Sequence, residues 1–346
     1  MAVVLVEGFD TYNGTGTNTG LQAKWSGSAG GSMATGRFTG QSFQARNTNS
    51  GVGGSAASRL LPSAIGSFTV GFAFRAVTLT SMNGGTNNTF LTLLGSSGTV
   101  SQITMYVDNN GTLNVTRAGT VLGSAVGAII DSTWQYIELS VFISDTVGTV
   151  VVKVNGATVI NLSGVDTRNG TPTTIDTIQL QASSFTGSVF GGWFYDDLYI
   201  VDSTTSLGER RIETLYPTAD TAQKDWTPDT GTVDFSRVNE AQVVTTNYVQ
   251  ASTVGNTDRY TMGDLTGTPA TIDAVQVVAY AQKTDATTRA IALEVKSGAT
   301  ISDSSDFNLA ASYGKFDRLI LTDPATSAAW SVSGVNALEA GVKVTI

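Results

Sequence analysis

The sequence predicts an all-β protein built as two consecutive sandwich-like units. Three observations lead there. Apolar and polar residues alternate with period two through much of the chain, as strands with one buried face require. Most of the 38 glycines, together with Asn, Asp, Ser and Thr, fall between these runs as turn residues. No helical 3.6 period of any length interrupts residues 1–205.

The first unit reads strand by strand. In Thr69–Ala76, Val70, Phe72 and Phe74 share one face, and Gly71, Ala73 and Arg75 take the other. Ile103, Met105 and Val107 alternate up to the turn Asp108-Asn109-Asn110-Gly111, and Leu113 and Val115 continue the pattern. Asn-Gly suits a tight hairpin because both residues tolerate positive φ. Trp134–Ser144 sets Ile137, Leu139, Val141 and Ile143 against Trp134, Tyr136, Glu138, Ser140 and Phe142. A second hairpin runs from Val150–Val154 through Asn155-Gly156 into Thr158–Leu162. Strands near Ile175–Gln181 and Trp193–Val201 complete the set.

Asp202–Gly208 is polar and turn-rich, which divides the chain into residues 1–205 and 206–346. Alternation resumes at Val275–Ala281, Ile291–Val295 and Phe316–Leu321. One short helix is predicted over Ser333–Ala340, with Ser333 as N-cap and Gly341 as its stop, before a last strand at Val342–Ile346. Many short strands with glycine-rich turns indicate sandwiches or jelly rolls in both units.

Composition narrows the chemistry. The 346 residues include no histidine and no cysteine, which excludes thiolate nucleophiles, disulfides, Cys/His zinc sites and histidine-based acid–base catalysis. The formal net charge is −9. Residues 1–205 carry 8 basic and 11 acidic groups (net −3), and residues 206–346 carry 11 and 17 (net −6). Neither half offers the clustered Lys and Arg that nucleic acid demands. The N-terminus lacks the basic start of an export signal, and no 18-residue apolar run occurs. Folding in the cytoplasm without a membrane partner is the expectation.

An ordered series of segments runs through residues 1–205. It comprises Glu7-Gly8-Phe9-Asp10, a Trp25 segment, Gly36–Phe43, Phe68–Phe74, Val107–Leu113, Trp134–Glu138, Val152–Gly156 and Trp193–Ile200. Taken together it resembles the concanavalin A-like, laminin-G-like jelly roll. The whole chain also resembles structural proteins of tailed bacteriophages, in which such a domain often precedes a second β module. Here that module begins near Glu209–Pro217. The resemblance implies a virion-surface protein assembled in the bacterial host cytoplasm. Such a protein packs against capsid or tail partners, as a head decoration or a tail or fibre component, and self-associates under the symmetry of its platform.

Candidate chemistry is sparse. This fold hosts glycan-cleaving enzymes, and a retaining glycosidase needs two carboxyl groups about 5–5.5 Å apart, for which Glu-x-Asp-x-Glu on a strand is the local solution. No such ladder occurs, so the chain is not expected to be an enzyme. Asp196 and Asp197 are adjacent in a strand and are expected to point to opposite faces. Asp197, with Asp108 and Asn110, supplies oxygen ligands of the kind calcium takes, although a turn role for Asp108–Gly111 competes with that reading. No other cofactor is expected. Trp134, Tyr136, Trp193 and Tyr195 are the candidates for a sugar-stacking platform, against the plainer reading that both faces of their strands are partly buried. The glycine-rich stretches 27–36 and 51–54 lack the Gly-Lys-Ser/Thr of a phosphate cradle.

The leading expectation is therefore a non-enzymatic structural protein on the exterior of a phage particle, acting by protein–protein packing. The alternative is a carbohydrate-binding adhesin that recognises a host glycan, and the third reading is a polysaccharide depolymerase.

Overall fold

The computed structural model describes residues 1–12, 20–27, 31–46, 56–77, 79, 88–182 and 192–346; the glycine stretch 51–54 and residues 28–30 of the other lie outside them. The chain divides into two compact units, Met1–Ile212 and Glu213–Ile346. A boundary after residue 205 would thus cut off a segment that belongs to the first unit.

The first unit contains β1 (Val3–Glu7), β2 (Ser32–Thr35), β3 (Gln41–Arg46), β4 (Ala56–Ile65), β5 (Ser67–Val77), β6 (Asn88–Gly95) and β7 (Val100–Val107). It continues with β8 (Leu113–Arg117), β9 (Thr120–Ala125), β10 (Gln135–Phe142), β11 (Gly148–Val154), β12 (Ala157–Val165), β13 (Ile175–Gln181) and β14 (Gly192–Val201). They form two antiparallel sheets, one in the order β12-β11-β10-β5-β14-β3-β2 with β1 also on β14, the other β4-β13-β6-β7-β8-β9. Consecutive strands such as β13 and β14 belong to different sheets, which makes this a sandwich and not a meander.

The core follows from the alternation. Phe68, Val70, Phe72 and Phe74 of β5 and Ile137, Leu139 and Val141 of β10 are fully buried between the sheets, facing Leu93, Ile103, Met105 and Val115 of the smaller one. On the opposite face of β5, Thr69, Gly71 and Ala73 are small. Gly71 is required there, because a Cβ would lie 2.3 Å from the Tyr199 ring that covers it. The hairpin turn at Asn155-Gly156 has φ of 49° and 79°, and Gly111 has φ of 79°, as the turn chemistry predicts.

The second unit comprises β15 (Pro217–Lys224), β16 (Thr227–Pro228), β17 (Val249–Gln250), β18 (Thr257–Met262), β19 (Val275–Ala281), β20 (Ala290–Ser297), β21 (Thr300–Asp303), β22 (Phe307–Asn308), β23 (Gly314–Ile320) and β24 (Glu339–Val344). Its main sheet runs β15-β18-β24-β20-β21, with β22 also on β20, and β16-β17 and β19-β23 form two further ladders. A small core gathers Leu293, Val295, Ile320, Trp330, Val335 and Leu338. The helix α1 spans Val332–Asn336 and is capped by Ser331, whose Oγ accepts from Gly334 N at 3.0 Å. It starts and ends earlier than the capping pattern predicts. Gly341 lies inside β24, where a Cβ would meet the Asp258 carbonyl at 1.8 Å, so it permits close strand approach and stops no helix.

Candidate functional site

The outer face of the larger sheet in the first unit carries four rows of side chains read across β10, β5 and β14. They are Ser140–Thr69–Val201, Glu138–Gly71–Tyr199, Tyr136–Ala73–Asp196 and Trp134–Arg75–Phe194. The segment Asp202–Gly208, read from sequence as the boundary, and the residues that follow it up to Ile212 bind to the first three. Thr69 Oγ1 donates to the Ser203 carbonyl (2.7 Å), and Lys153 Nζ donates to Ser206 Oγ (2.9 Å). The Tyr199 hydroxyl donates to Glu138 Oε1 (2.8 Å) and accepts from Leu207 N (3.2 Å). Glu138 Oε1 also accepts from Gly208 N (2.8 Å). Burial and the adjacent Glu138 hold the Tyr199 phenol far above its usual range, so it acts as a neutral donor.

The third row is disturbed by a β-bulge. The β14–β5 register shifts between Asp196 and Tyr199, and Asp197 takes φ of 51°. Side chains 193 and 195 point inward before the bulge and 198 and 200 after it, so the expectation that Asp196 and Asp197 face opposite ways fails. Both reach the turn at Arg37. Asp196 Oδ2 accepts from Arg37 N (2.7 Å), Asp197 Oδ1 accepts from Ile212 N (2.7 Å), and Arg37 Nη1 stands 3.8 Å from Asp197 Oδ2. Burial, reinforced by Asp197, raises the Asp196 pKa to about 8. Burial raises that of Asp197 to about 6 despite the Ile212 N–H and Arg37.

The fourth row differs in kind. The Arg75 guanidinium packs on the rings of Trp134 (5.1 Å to the centroid) and Phe194 (4.2 Å), which meet edge to face. On β3, Gln44 lies opposite Phe194 and accepts from Ser32 Oγ (3.2 Å). Trp134 and Arg75 are partly exposed. This row combines aromatic surface, a cation and an amide at a partly open sheet face.

The candidates read from sequence are thus dispersed. Trp193 and Tyr195 are fully buried in the intersheet core, and Tyr195 donates to the carbonyls of Phe90 (2.7 Å) and Gln181 (2.9 Å). They offer nothing to a ligand, because they occupy the inward parity of β14. Tyr136 lies on the outer face but is buried, stacked on Tyr199 and donating to the Asp197 carbonyl (3.0 Å). Trp134 remains. Asp108 and Asn110 close their own β7–β8 turn, both accepting from Thr112 N (2.9 and 3.0 Å), in the other sheet from Asp197. The three are not brought together, and the described residues include no group of three or more His, Cys, Asp or Glu able to hold a metal ion. Arg75 and Phe194 were missed as site residues. The signal was a lone charge in the otherwise apolar Phe68–Ala76 run.

A second ionisable cluster lies in the C-terminal unit. Asp234 and Asp258 are both 0% exposed and adjoin one another. Asp258 accepts from Trp226 N (2.8 Å) and the Tyr260 hydroxyl (3.0 Å), whereas Asp234 has only the Lys224 ammonium at 3.2 Å and no formed hydrogen bond. Asp220 takes the same ammonium at 2.7 Å. Burial, then the Asp234 carboxyl, lifts the Asp258 pKa to about 6.

No family model and no curated protein matches the chain. Among solved structures it is similar to an endo-β-1,4-glucuronan lyase from the fungus Trichoderma reesei, at 12% identity and a TM-score of 0.41 over 54% of this chain and 94% of that one. It is similar to the alginate lyase Aly36B at 15% identity and a TM-score of 0.40, over 62% and 100%. A third is lectin I-B4 from Griffonia simplicifolia, at 14% identity and a TM-score of 0.35, over 49% and 90%. The likeness describes the all-β sandwich fold. With polysaccharide lyases among these structures, the expectation that the chain is not an enzyme is withdrawn. The physical reason is plain: the carboxylate-ladder argument tests glycosidase-type hydrolysis, and a lyase cleaves by elimination, which needs no such pair.

Proposed function

We propose that the N-terminal unit is a glycan-binding domain that takes sugar at the Trp134–Arg75–Phe194 row. The observation that carries this reading is the row itself, where ring surface and N–H donors stand together on the part of the sheet face where residues 203–212 make no hydrogen bond. A pyranose presents an apolar C–H face and polar edges, which such a mixture fits. Trp134→Ala is expected to weaken binding to a glycan found by array screening by roughly tenfold. The unfolding temperature should stay within about 4 °C of the parent. A clean negative across host-envelope polysaccharides removes the reading. Assaying a bound polysaccharide for shortened chains separates recognition from cleavage.

The wider setting we propose, an adhesin on the surface of a tailed-phage particle, is supported by the resemblance of the whole chain, a jelly roll followed by a second β module from near Glu209–Pro217, to tailed-phage structural proteins. Cryo-EM of mature particles tests it. Absence of the protein there ends the setting and leaves the glycan reading standing.

A further inference from the structure

We propose that the Trp134–Arg75–Phe194 row selects a carboxylate-bearing sugar, a uronic acid, and that Arg75 is the residue that recognises the carboxylate. The inference rests on the glycan reading above and narrows its ligand class. Glu7 holds Arg59, Glu209 and Asp197 hold Arg37, Asp166 holds Arg117, and Asp145 holds Arg168. Lys153 donates to Ser206. Within the first unit Arg75 has neither an acidic partner nor a hydrogen-bond acceptor among the described residues. Its Nε is buried without a partner.

Such a group is costly to leave unpaired, since guanidinium N–H donors removed from water lose their hydrogen bonds. Desolvation accordingly depresses the Arg75 pKa. The rings of Trp134 and Phe194 offset part of that cost through cation–π contact and fix the position of the plane. They cannot satisfy its N–H donors, which lie in the guanidinium plane. An arginine fork of this kind matches a planar carboxylate in two-point fashion, which a hydroxyl cannot reproduce. Asp131, three residues before Trp134, accepts from Leu79 N at 3.0 Å and forms no ion pair with Arg75. A uronate laid against Trp134 would meet the Arg75 Nη donors, which unlike Nε are not fully buried, while its C–H face meets the indole.

The test uses the full chain and paired probes: oligosaccharides of glucuronic, galacturonic and mannuronic acid, each beside its carboxyl-reduced neutral counterpart, titrated by calorimetry. At least one acid oligomer should bind about ten- to a hundredfold more tightly than its neutral partner. Arg75→Gln should erase that preference, Arg75→Lys should retain part of it, and Arg168→Gln, an arginine outside the row, should leave it intact. Unfolding temperature is recorded for each variant. If Arg75→Gln does not fold, the acid-to-neutral ratio of the wild type and of Arg75→Lys still decides. Equal affinity for acid and neutral members, or a preference that survives in Arg75→Gln, overturns the inference and leaves glycan binding standing. Binding to no member of either set, with no array hit, removes the glycan reading itself.

Discussion

Two buried carboxylate sites, Glu7 in the first unit and Asp234–Asp258 in the second, are built in opposite ways. In the first, an acid sits inside a shell of donors. Glu7 Oε2 accepts from Arg59 Nη1 (2.8 Å), the Tyr12 hydroxyl (2.7 Å) and Trp25 Nε1 (3.3 Å), while Oε1 takes Phe9 N (3.2 Å). Glu138 likewise ties Tyr199 and Gly208 together. In the second, Asp234 and Asp258 lie against each other with too few donors between them. A donor-rich acid stays charged and fastens segments to one another; an acid facing an acid must hold a proton or repel its neighbour. The first arrangement is a clasp, and the second responds to pH.

The clasp at Glu7 should show the largest effect. Glu7→Ala removes the acceptor that Arg59 Nη1, the Tyr12 hydroxyl and the Trp25 indole N–H share in the core, so a loss of about 3–5 kcal/mol is expected in denaturant unfolding. A loss under about 1 kcal/mol would mean that water replaces the carboxylate and that the clasp is not one. The second clasp is smaller. Glu138→Ala leaves Tyr199 and Gly208 N without their acceptor and should cost about 2 kcal/mol. Hydrogen exchange at residues 206–209 should quicken, because that segment is held through this carboxylate. Glycan binding at the Trp134 row should not change, as Glu138 lies two rows away.

These groups mark how far a sequence can be read. The strands of the first unit are legible because apolar side chains alternate along them: Ile137, Leu139 and Val141 of β10, with Ile143 just beyond it, all enter the core, although Tyr136, Glu138 and Ser140 on the other face are buried as well. The residues Trp193 to Ile200 defeat the same logic. A single bulge residue, Asp197, shifts parity by one, and period two carries no mark of where a strand gains a residue. Asp202–Gly208 reads as a linker since its composition is polar, yet its partners are backbone groups and the buried Tyr199 and Glu138, which no local pattern reveals. Trp134 was legible as an outward aromatic. Arg75 was visible as a charge on the face opposite Val70, Phe72 and Phe74, but its lack of a partner emerges only in the folded chain. In the second unit, Asp220, Asp234 and Asp258 meet from distant segments, a juxtaposition that spacing cannot show.

The acid pair of the second unit gives the smallest effect and the most specific one. Asp258 titrates near 6 when folded against an ordinary 3.8. Between those values the folded state holds more protons than the unfolded chain, so its contribution is full below about pH 4, falls as pH rises to about 6, and stays low above that. Asp258→Asn removes the titration. Its carbonyl can keep the Trp226 N–H, and its amide can donate to Asp234, which has no hydrogen bond of its own while Lys224 continues to neutralise it. The variant should therefore gain about 1 kcal/mol near neutral pH and lose nothing in acid, flattening the calorimetric stability profile across the window. Asp196 and Asp197 titrate in the same direction in the first unit, with pKa values of about 8 and about 6, and Glu294 is also raised, so all three contribute to the slope that remains in the variant. A variant that is less stable near neutral pH would show that Asp258 is itself a clasp, held by Tyr260 and Trp226, and the contrast between the units would collapse.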